Sequence, residues 1–326
     1  MNLDAASVGQ RVVVRHAVGG TGPSGGPAMS DVIGRVRSVD ATDVTIERRD
    51  GRMHVVHLAD VVTWKPVPDR PARRRKAADV SAAELTRITS RGWPAIDSVP
   101  LGEWELRTSG RFTGRANSVA VHGDPGVPFD EALLRVHEFY AAHGVPPLAQ
   151  VVVGSADDRT FAAAGWVPMS GRHDGAVVQV ADLDPAYDTH PGARIADTAD
   201  DDWLDSYGRV NDPLAARAVL EGPATVGFVS IGTPAVAIGR IVVTGEWAGI
   251  ACVEVSPGHR RQGLARQIVE TALAWAVERG ADKAYLQTMR SNEAALALYQ
   301  PYGFGDHHDY RYLEPGHPGR IRTVLA

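Results

Sequence analysis

Strict alternation of apolar and polar positions runs through short stretches of the first 68 residues and gives way to helical spacing beyond them. Gly9–Arg15, Val32–Val39, Asp43–Arg48 and Met53–Leu58 each read as a strand, with turn residues between them. This cadence predicts a small β barrel of the SH3 sort. The run Gly19–Pro27 breaks both periods and reads as a loop. Residues 69–80 form a linker that carries the basic run Arg73–Lys76. Ser81 then caps a helix, with Glu84 placed for a capping box. Strands follow at Trp104–Arg107, Ala116–Val121 and Leu148–Val153. An amphipathic helix spans Phe129–His143, with Leu133, Val136, Phe139 and Tyr140 on its apolar face. A short helix ends at Gly165-Trp166.

Past a proline-containing bridge, Asp182–His190, a similar order returns. A strand at Arg194–Ala196 leads to helices at Asp201–Tyr207 and Asp212–Leu220, then strands at Thr225–Ser230, Ala235–Val243 and Gly249–Val255. A long helix places Leu264, Ile268, Ala272 and Trp275 on one face, and a strand, Lys283–Met289, follows it. The last short helix ends at Gly303-Phe304, echoing Gly165-Trp166. The repeated order reads as an internal duplication.

Composition narrows the function classes. The chain has 326 residues, 22% charged and 44% hydrophobic, with a formal net charge of -5, which fits a folded multidomain protein. An acidic balance gives no support for general nucleic-acid binding. One cysteine excludes an intramolecular disulfide framework and a cysteine-based zinc cluster. No run is apolar enough to span a bilayer and no leader pattern opens the chain, so the cytoplasm is the expected address.

The chemistry concentrates in Val253–Ala265. A strand ends at Ser256-Pro257-Gly258, a basic turn follows, and a helix begins, an arrangement that gathers free amides and a positive helix end around one point. Gly263 lets backbone approach an anion, and Arg260 and Arg261 add charge. The turn Arg260-x-x-Gly263-x-Ala265 resembles the signature of the GCN5-related N-acetyltransferases. A second block at that family's spacing, Asn292-x-x-Ala295-x-x-Leu298-Tyr299-x-x-x-Gly303-Phe304, strengthens the resemblance, which covers roughly residues 193–315. The region Val8–Trp64 is similar to barrels that precede some actinobacterial acetyltransferase-like proteins. The whole chain is similar to actinobacterial tandem proteins of the N-acetylglutamate-synthase-like kind.

The resemblance implies an α/β (α+β) fold: a small SH3-like β barrel (1–68), a linker (69–80), a degenerate acetyltransferase-like domain (81–184) and a catalytic one (185–326), each of the last two around a mixed central sheet. It implies acetyl-CoA as cofactor. The pyrophosphate would be held by His259, Arg260, Arg261, Gln262, Gly263, Leu264 and Ala265, and the pantetheine arm by the backbone of Cys252, Val253 and Val255, with Asn292 and Tyr299 close by. Tyr299 would protonate the leaving thiolate. Glu254, on the strand face opposite Val253 and Val255, is the candidate base, with Glu246, His259 or an ordered water chain as alternatives.

Trp203, Tyr207 and Arg209 stand where the family shapes its acceptor pocket, although Trp203 and Tyr207, four apart, equally suit a core face. In the middle half, Val121–Phe129 lacks the basic glycine turn, so acetyl-CoA turnover is not expected there. Arg115 and Asn117 are weaker candidates for a carboxylate or phosphate. Adjacent His307 and His308 should point to opposite faces of a strand. That argues against a metal and leaves His308 a weak substrate candidate. The expected activity is acetylation of a small-molecule amine or amino acid, with no nucleic-acid or membrane partner and an oligomeric state left open. An acyl-CoA-binding sensory or assembly module and a protein or peptide N-acetyltransferase remain the alternatives.

Overall fold

A computed structural model describes residues 3–21, 27–48, 51–67, 75–110, 112–169, 175–184, 186–210 and 212–316. Arg73, Arg74, Arg111 and most of the Gly19–Pro27 loop lie outside these residues. The chain divides into two compact units, Met1–Arg74 and Arg75–Ala326.

The first unit is one antiparallel sheet of β1 (Arg11–Thr21), β2 (Pro27–Val39), β3 (Asp43–Glu47), β4 (Met53–His57) and β5 (Val61–Pro66), in the order β4-β3-β2-β1-β5. Val12, Val14, Val32, Val36, Val44, Ile46 and Val56 alternate onto its buried face. Two expectations change. The sheet is five-stranded and, among the described residues, is not closed into a barrel by pairing between β4 and β5. The fifth strand, holding Trp64, was not predicted. β1 and β2 also continue well into the stretch expected as loop, pairing as far as Thr21 with Pro27.

The second unit opens with α1 (Ala82–Arg91). Ser81 Oγ accepts from the Glu84 amide, but the Glu84 carboxylate turns to Arg75 at 2.8 Å, so only half of the capping box forms. Residues ahead of α1 also dock onto this unit: Ala77 and Val80 are buried, and the Ala77 amide donates to Asp182. Next come β6 (Asp97–Leu101), β7 (Trp104–Thr108), the two-residue β8 (Val119–Ala120), α2 (Phe129–Ala142), β9 (Ala149–Val152), α3 (Ala156–Ala163), β10 (Trp166–Pro168) and β11 (Gly175–Asp182). The later half holds β12 (Ala193–Ala196), α4 (Asp201–Tyr207), α5 (Pro213–Leu220), β13 (Val226–Ile231), β14 (Ala237–Thr244), β15 (Trp247–Val255), α6 (Leu264–Glu278), β16 (Lys283–Thr288), α7 (Glu293–Tyr299) and β17 (Gly305–Pro315).

All twelve strands join one sheet, ordered β12-β13-β14-β15-β16-β11-β17-β9-β8-β7-β6, with β10 paired to β17. Each half contains an antiparallel run that leads to one parallel pair, β8 with β9 and β15 with β16. The seam is interleaved. β11, from the middle half, lies between β16 and β17, and the far end of β17 reaches β9 and β10.

The sheet of the later half is covered on both faces, because alternation along β14 sends side chains two ways. Ala237 and Ile241 join Ile268, Ala272 and Leu273 of α6 on one face. Ile238 and Val242 join Trp203, Tyr207, Val219 and Leu220 of α4 and α5 on the other, with Trp93, Phe112 and Ala116 from the middle half. The apolar face of α6 is wider than the expected stripe, since Val269, Ala274 and Ala276 are buried as well.

Candidate active site

Two features of β15 shape the centre of the later half. Its parallel ladder to β16 covers only Trp247–Ile250 against Lys283–Leu286, after which the strands part. Its pairing with β14 slips between Ile238 and Arg240, opposite Cys252, whose φ is +56°. Past this bulge the side chains keep their predicted facing: Val253 and Val255 pack against the α6 side, while Glu254 lies opposite and meets Arg209 at 2.5 Å.

Beyond Val255 the chain makes one 3-10 turn, Pro257–His259, and then the exposed segment Arg260–Gly263. Ser256 Oγ contacts His259 Nδ1 at 3.0 Å, and Arg260 Nε donates to the Val255 carbonyl. Arg261 (φ +63°) and Gly263 (φ +80°) take left-handed backbone, and Gly263 N-caps α6 with no side chain to offer. Asp200, Asp212 and Asn292 do cap α4, α5 and α7 with their side chains. The first amides of the 15-residue α6, Leu264 and Ala265 among them, therefore start an uncapped helix on an exposed turn flanked by two arginines.

Tyr299 ends α7 at 6% exposure and packs edge-on against Phe304. Burial, followed by the nearby Cys252 and Glu254, holds its phenol protonated well above the usual tyrosine range. Across the sheet, burial raises the Cys252 thiol, which lies near the Tyr207 hydroxyl. Tyr299, Cys252, Glu254, Tyr207 and Arg209 are thus brought together around the point where β15 and β16 part.

Other candidates fall elsewhere. Trp203 is core: its indole donates to the Val229 carbonyl at 3.1 Å and its ring meets Phe228 edge-on. Asn117 is occupied by its own loop. It donates to the carbonyls of Phe112 and Thr113 and accepts from the Ser109 amide, all at 2.8 Å, so it shapes the segment bearing Arg115. Glu246 pairs with Lys283 at 2.7 Å. His307 and His308 do not face apart. The β17 register shifts between His308 and Asp306, and the bulge brings their Nδ1 atoms within 2.7 Å. Burial, then His307, drives His308 down to about 4. No cluster of three or more metal-ligating side chains occurs among the described residues.

One functional candidate escaped sequence reading. Arg240, on β14, is 1% exposed and faces Trp93 and Arg115. The signal was a lone charge inside the otherwise apolar run Ala235–Val243.

The chain is similar to known acetyltransferases in sequence and in fold. Residues 78–313 match the family model described as "Probable histone acetyltransferase Rv0428c C-terminal", and residues 6–65 match "Rv0428c N-terminal Sm-like domain". The chain is similar to the uncharacterized N-acetyltransferase YobR of Bacillus subtilis, 24% identical over 70% of this chain and 96% of that protein. A 91-residue stretch is 34% identical to the [ribosomal protein bS18]-alanine N-acetyltransferase of Escherichia coli, spanning 28% of this chain and 60% of that enzyme. Among solved structures, a GCN5-related N-acetyltransferase from Kribbella flavida shares the fold at TM-score 0.53 and 21% identity, over 72% of this chain and 96% of that one. The chain is an N-acetyltransferase that belongs to the family described from the C-terminal region of Rv0428c.

Proposed function

We propose that residues 185–326 transfer acetyl from acetyl-CoA to the amine of a small molecule, by direct attack. The observation that carries this reading is the uncapped start of α6, beside Arg260 and Arg261. Free amides and a positive helix end suit a diphosphate, and Gly263 leaves the approach clear. His259, Gln262, Leu264 and Ala265 complete the cradle. The edge of β15 that parts from β16, at Cys252, Val253 and Val255, offers backbone groups to a pantetheine arm. Asn292 caps α7, which carries Tyr299 toward the same point.

Bound acetyl-CoA supplies an activated acyl carbon. As the new N–C bond forms and the C–S bond breaks, the amine loses a proton and the thiolate gains one. Tyr299, kept protonated by its burial, donates to the thiolate. Glu254, on the opposite face with Arg209, takes the amine proton directly or through water. Cys252 is unsuited to nucleophilic catalysis, since burial raises its thiol and the groups acting on it are arginines and a phenol rather than a histidine.

Residues 81–184 read as a degenerate repeat of the same design. Ahead of α2 the turn spends its amides on carboxylates: the Asp124 amide donates to Glu103, from the connection between β6 and β7, and the Gly126 amide to Asp124, at 2.9 and 2.7 Å. An anionic turn repels a diphosphate.

Two relatives are described by protein substrates, a histone and a ribosomal protein. A small acceptor fits this chain better, because Arg115, Arg209 and Arg240 gather on the Glu254 side and disfavour a lysine-rich tail. Calorimetric titration of the full chain with CoA tests the reading. At Gly263 an added Cβ meets no atom within 4 Å, so Gly263→Ala costs only backbone strain of roughly 1–2 kcal/mol in the fold. It should nonetheless weaken CoA at least about tenfold, an effect of about 1.4 kcal/mol. Unchanged CoA affinity would overturn the cradle.

A further inference from the structure

Arg240 and Arg115 are two cations on one aromatic ring. The guanidinium carbon of Arg115 stands 3.9 Å from the centroid of Trp93, and that of Arg240 stands 4.9 Å from it. Phe112 stacks on Trp93 as well, and the indole nitrogen is fixed to Thr113 Oγ1 at 2.9 Å. Among the described residues, the groups acting most on Arg115 are Tyr310, Tyr312, Tyr207 and Cys252, and those acting most on Arg240 are Cys252, Tyr285, Arg115 and Tyr207. Burial brings Arg240 down only to about 10, so it remains charged at neutral pH.

The bonding of Arg240 is incomplete. Its Nε donates to the Leu220 carbonyl at 2.8 Å and its Nη1 to the Gly92 carbonyl at 3.0 Å, but its buried Nη2 has no partner among the described residues. Arg107 provides an internal control. It lies on β7, next to the parallel pair of the middle half, as Arg240 on β14 lies next to the pair of the later half. Arg107 is equally buried, yet each of its nitrogens is engaged, by Ser118, Ser90 and Gln150. Burying a guanidinium without such partners is costly, so the unsatisfied donor of Arg240 calls for an acceptor from elsewhere.

Arg240 lines a small cavity whose other walls include Trp93, Arg115, Gly249, Tyr285 and Gln287, beside the parting of β15 and β16. Tyr285 fits between Gly92 and Gly249, where a Cβ on either glycine would meet its hydroxyl at 2.0 or 2.3 Å. The cavity has about 10 Å³ of free volume, room for one water-sized group. Arg115 forms one wall: it is half-buried, stacked on Trp93, and bonded among the described residues to Gln287 at 3.4 Å.

We propose that Arg240 and Arg115 form a carboxylate-binding subsite for the acetyl acceptor, so that the amine acetylated is that of a free amino acid or a similar carboxylate-bearing molecule. Arg240 Nη2 takes one carboxylate oxygen, and Arg115 swings from Gln287 to take the other. Trp93 keeps both guanidiniums parked in the absence of acceptor. This inference rests on the acetyl-transfer reading of the neighbouring turn and β15.

The test uses the full chain, acetyl-CoA, and the twenty L-amino acids, each beside its carboxamide. CoA affinity alone is measured first by calorimetry, and its failure would strike the cradle rather than this subsite. Thiol release should then favour one or a few free acids over their carboxamides by at least about thirtyfold in kcat/KM. Arg115→Gln should raise KM for the acid and leave the carboxamide and acetyl-CoA unaffected. Carboxamides or simple alkylamines working as well as acids, or Arg115→Gln harming acid and amide alike, would overturn the subsite. If no member turns over, thermal shift of the CoA-loaded protein replaces the rate. Stabilisation by acids that Arg115→Gln abolishes supports the proposal, and no preference for acids over carboxamides refutes it.

Discussion

Tyr299 is where one side chain matters most to the proposed chemistry. Its phenol is buried beside Phe304 and the Cys252 bulge, so Tyr299→Phe removes a proton donor while leaving the ring that packs. Thiol release should fall about a hundredfold with CoA affinity unchanged, measured by stopped assay and calorimetry, if general acid catalysis contributes its usual share. The places of Gly263 at the start of α6 and Tyr299 at the end of α7 were legible in the sequence, because a glycine turn and a phenol at fixed spacing leave a short motif. Arg240 was not. Along a strand, period two says only that a residue alternates, and a charged one is normally read as facing water. Here that face is covered by α4, α5 and the Trp93 segment. Asn117 erred the other way, because an amide beside an arginine looks like a ligand until its loop is seen to use it.

Strands, helices and caps were largely readable as elements, but their neighbours were not. Hydrophobic alternation fixes which face a strand buries and says nothing about which strand lies beside it. The exchange of β11 and β17 across the seam therefore had no signature. It has a consequence for fragments. Residues 185–326 alone would leave the far side of β16 and both sides of β17 unpaired, and residues 75–184 would lack the strand against β9 and β10. Expressed singly, each fragment should fail to give a cooperative melt by circular dichroism. Expressed together, they should co-elute on size exclusion and recover one transition.

For the molecule as a whole, buried titratable groups set the pH range of stability. Burial, then Arg87 and Arg107, lowers His122 to about 4, and burial with His307 lowers His308 equally far from the usual 6.5. Between those values the unfolded chain binds more protons than the folded one, so stability falls as pH drops from 6.5 toward 4. Tyr140, Tyr207 and Tyr299 are raised by burial, which withdraws stability again as pH climbs past 10. A plot of melting temperature against pH should be flat near neutrality and decline on both sides, and His122→Gln with His308→Gln should flatten its acid limb.

The interleaved seam also governs when the protein can become itself during synthesis. β17 leaves the ribosome after every other strand of its sheet, yet it supplies the partner that β9, β10 and β11 all await. The earlier half must wait with open edges while more than a hundred further residues, from 183 to 304, are made. Translation speed and chaperone access over that interval, more than the strength of either core, should set the yield of native protein.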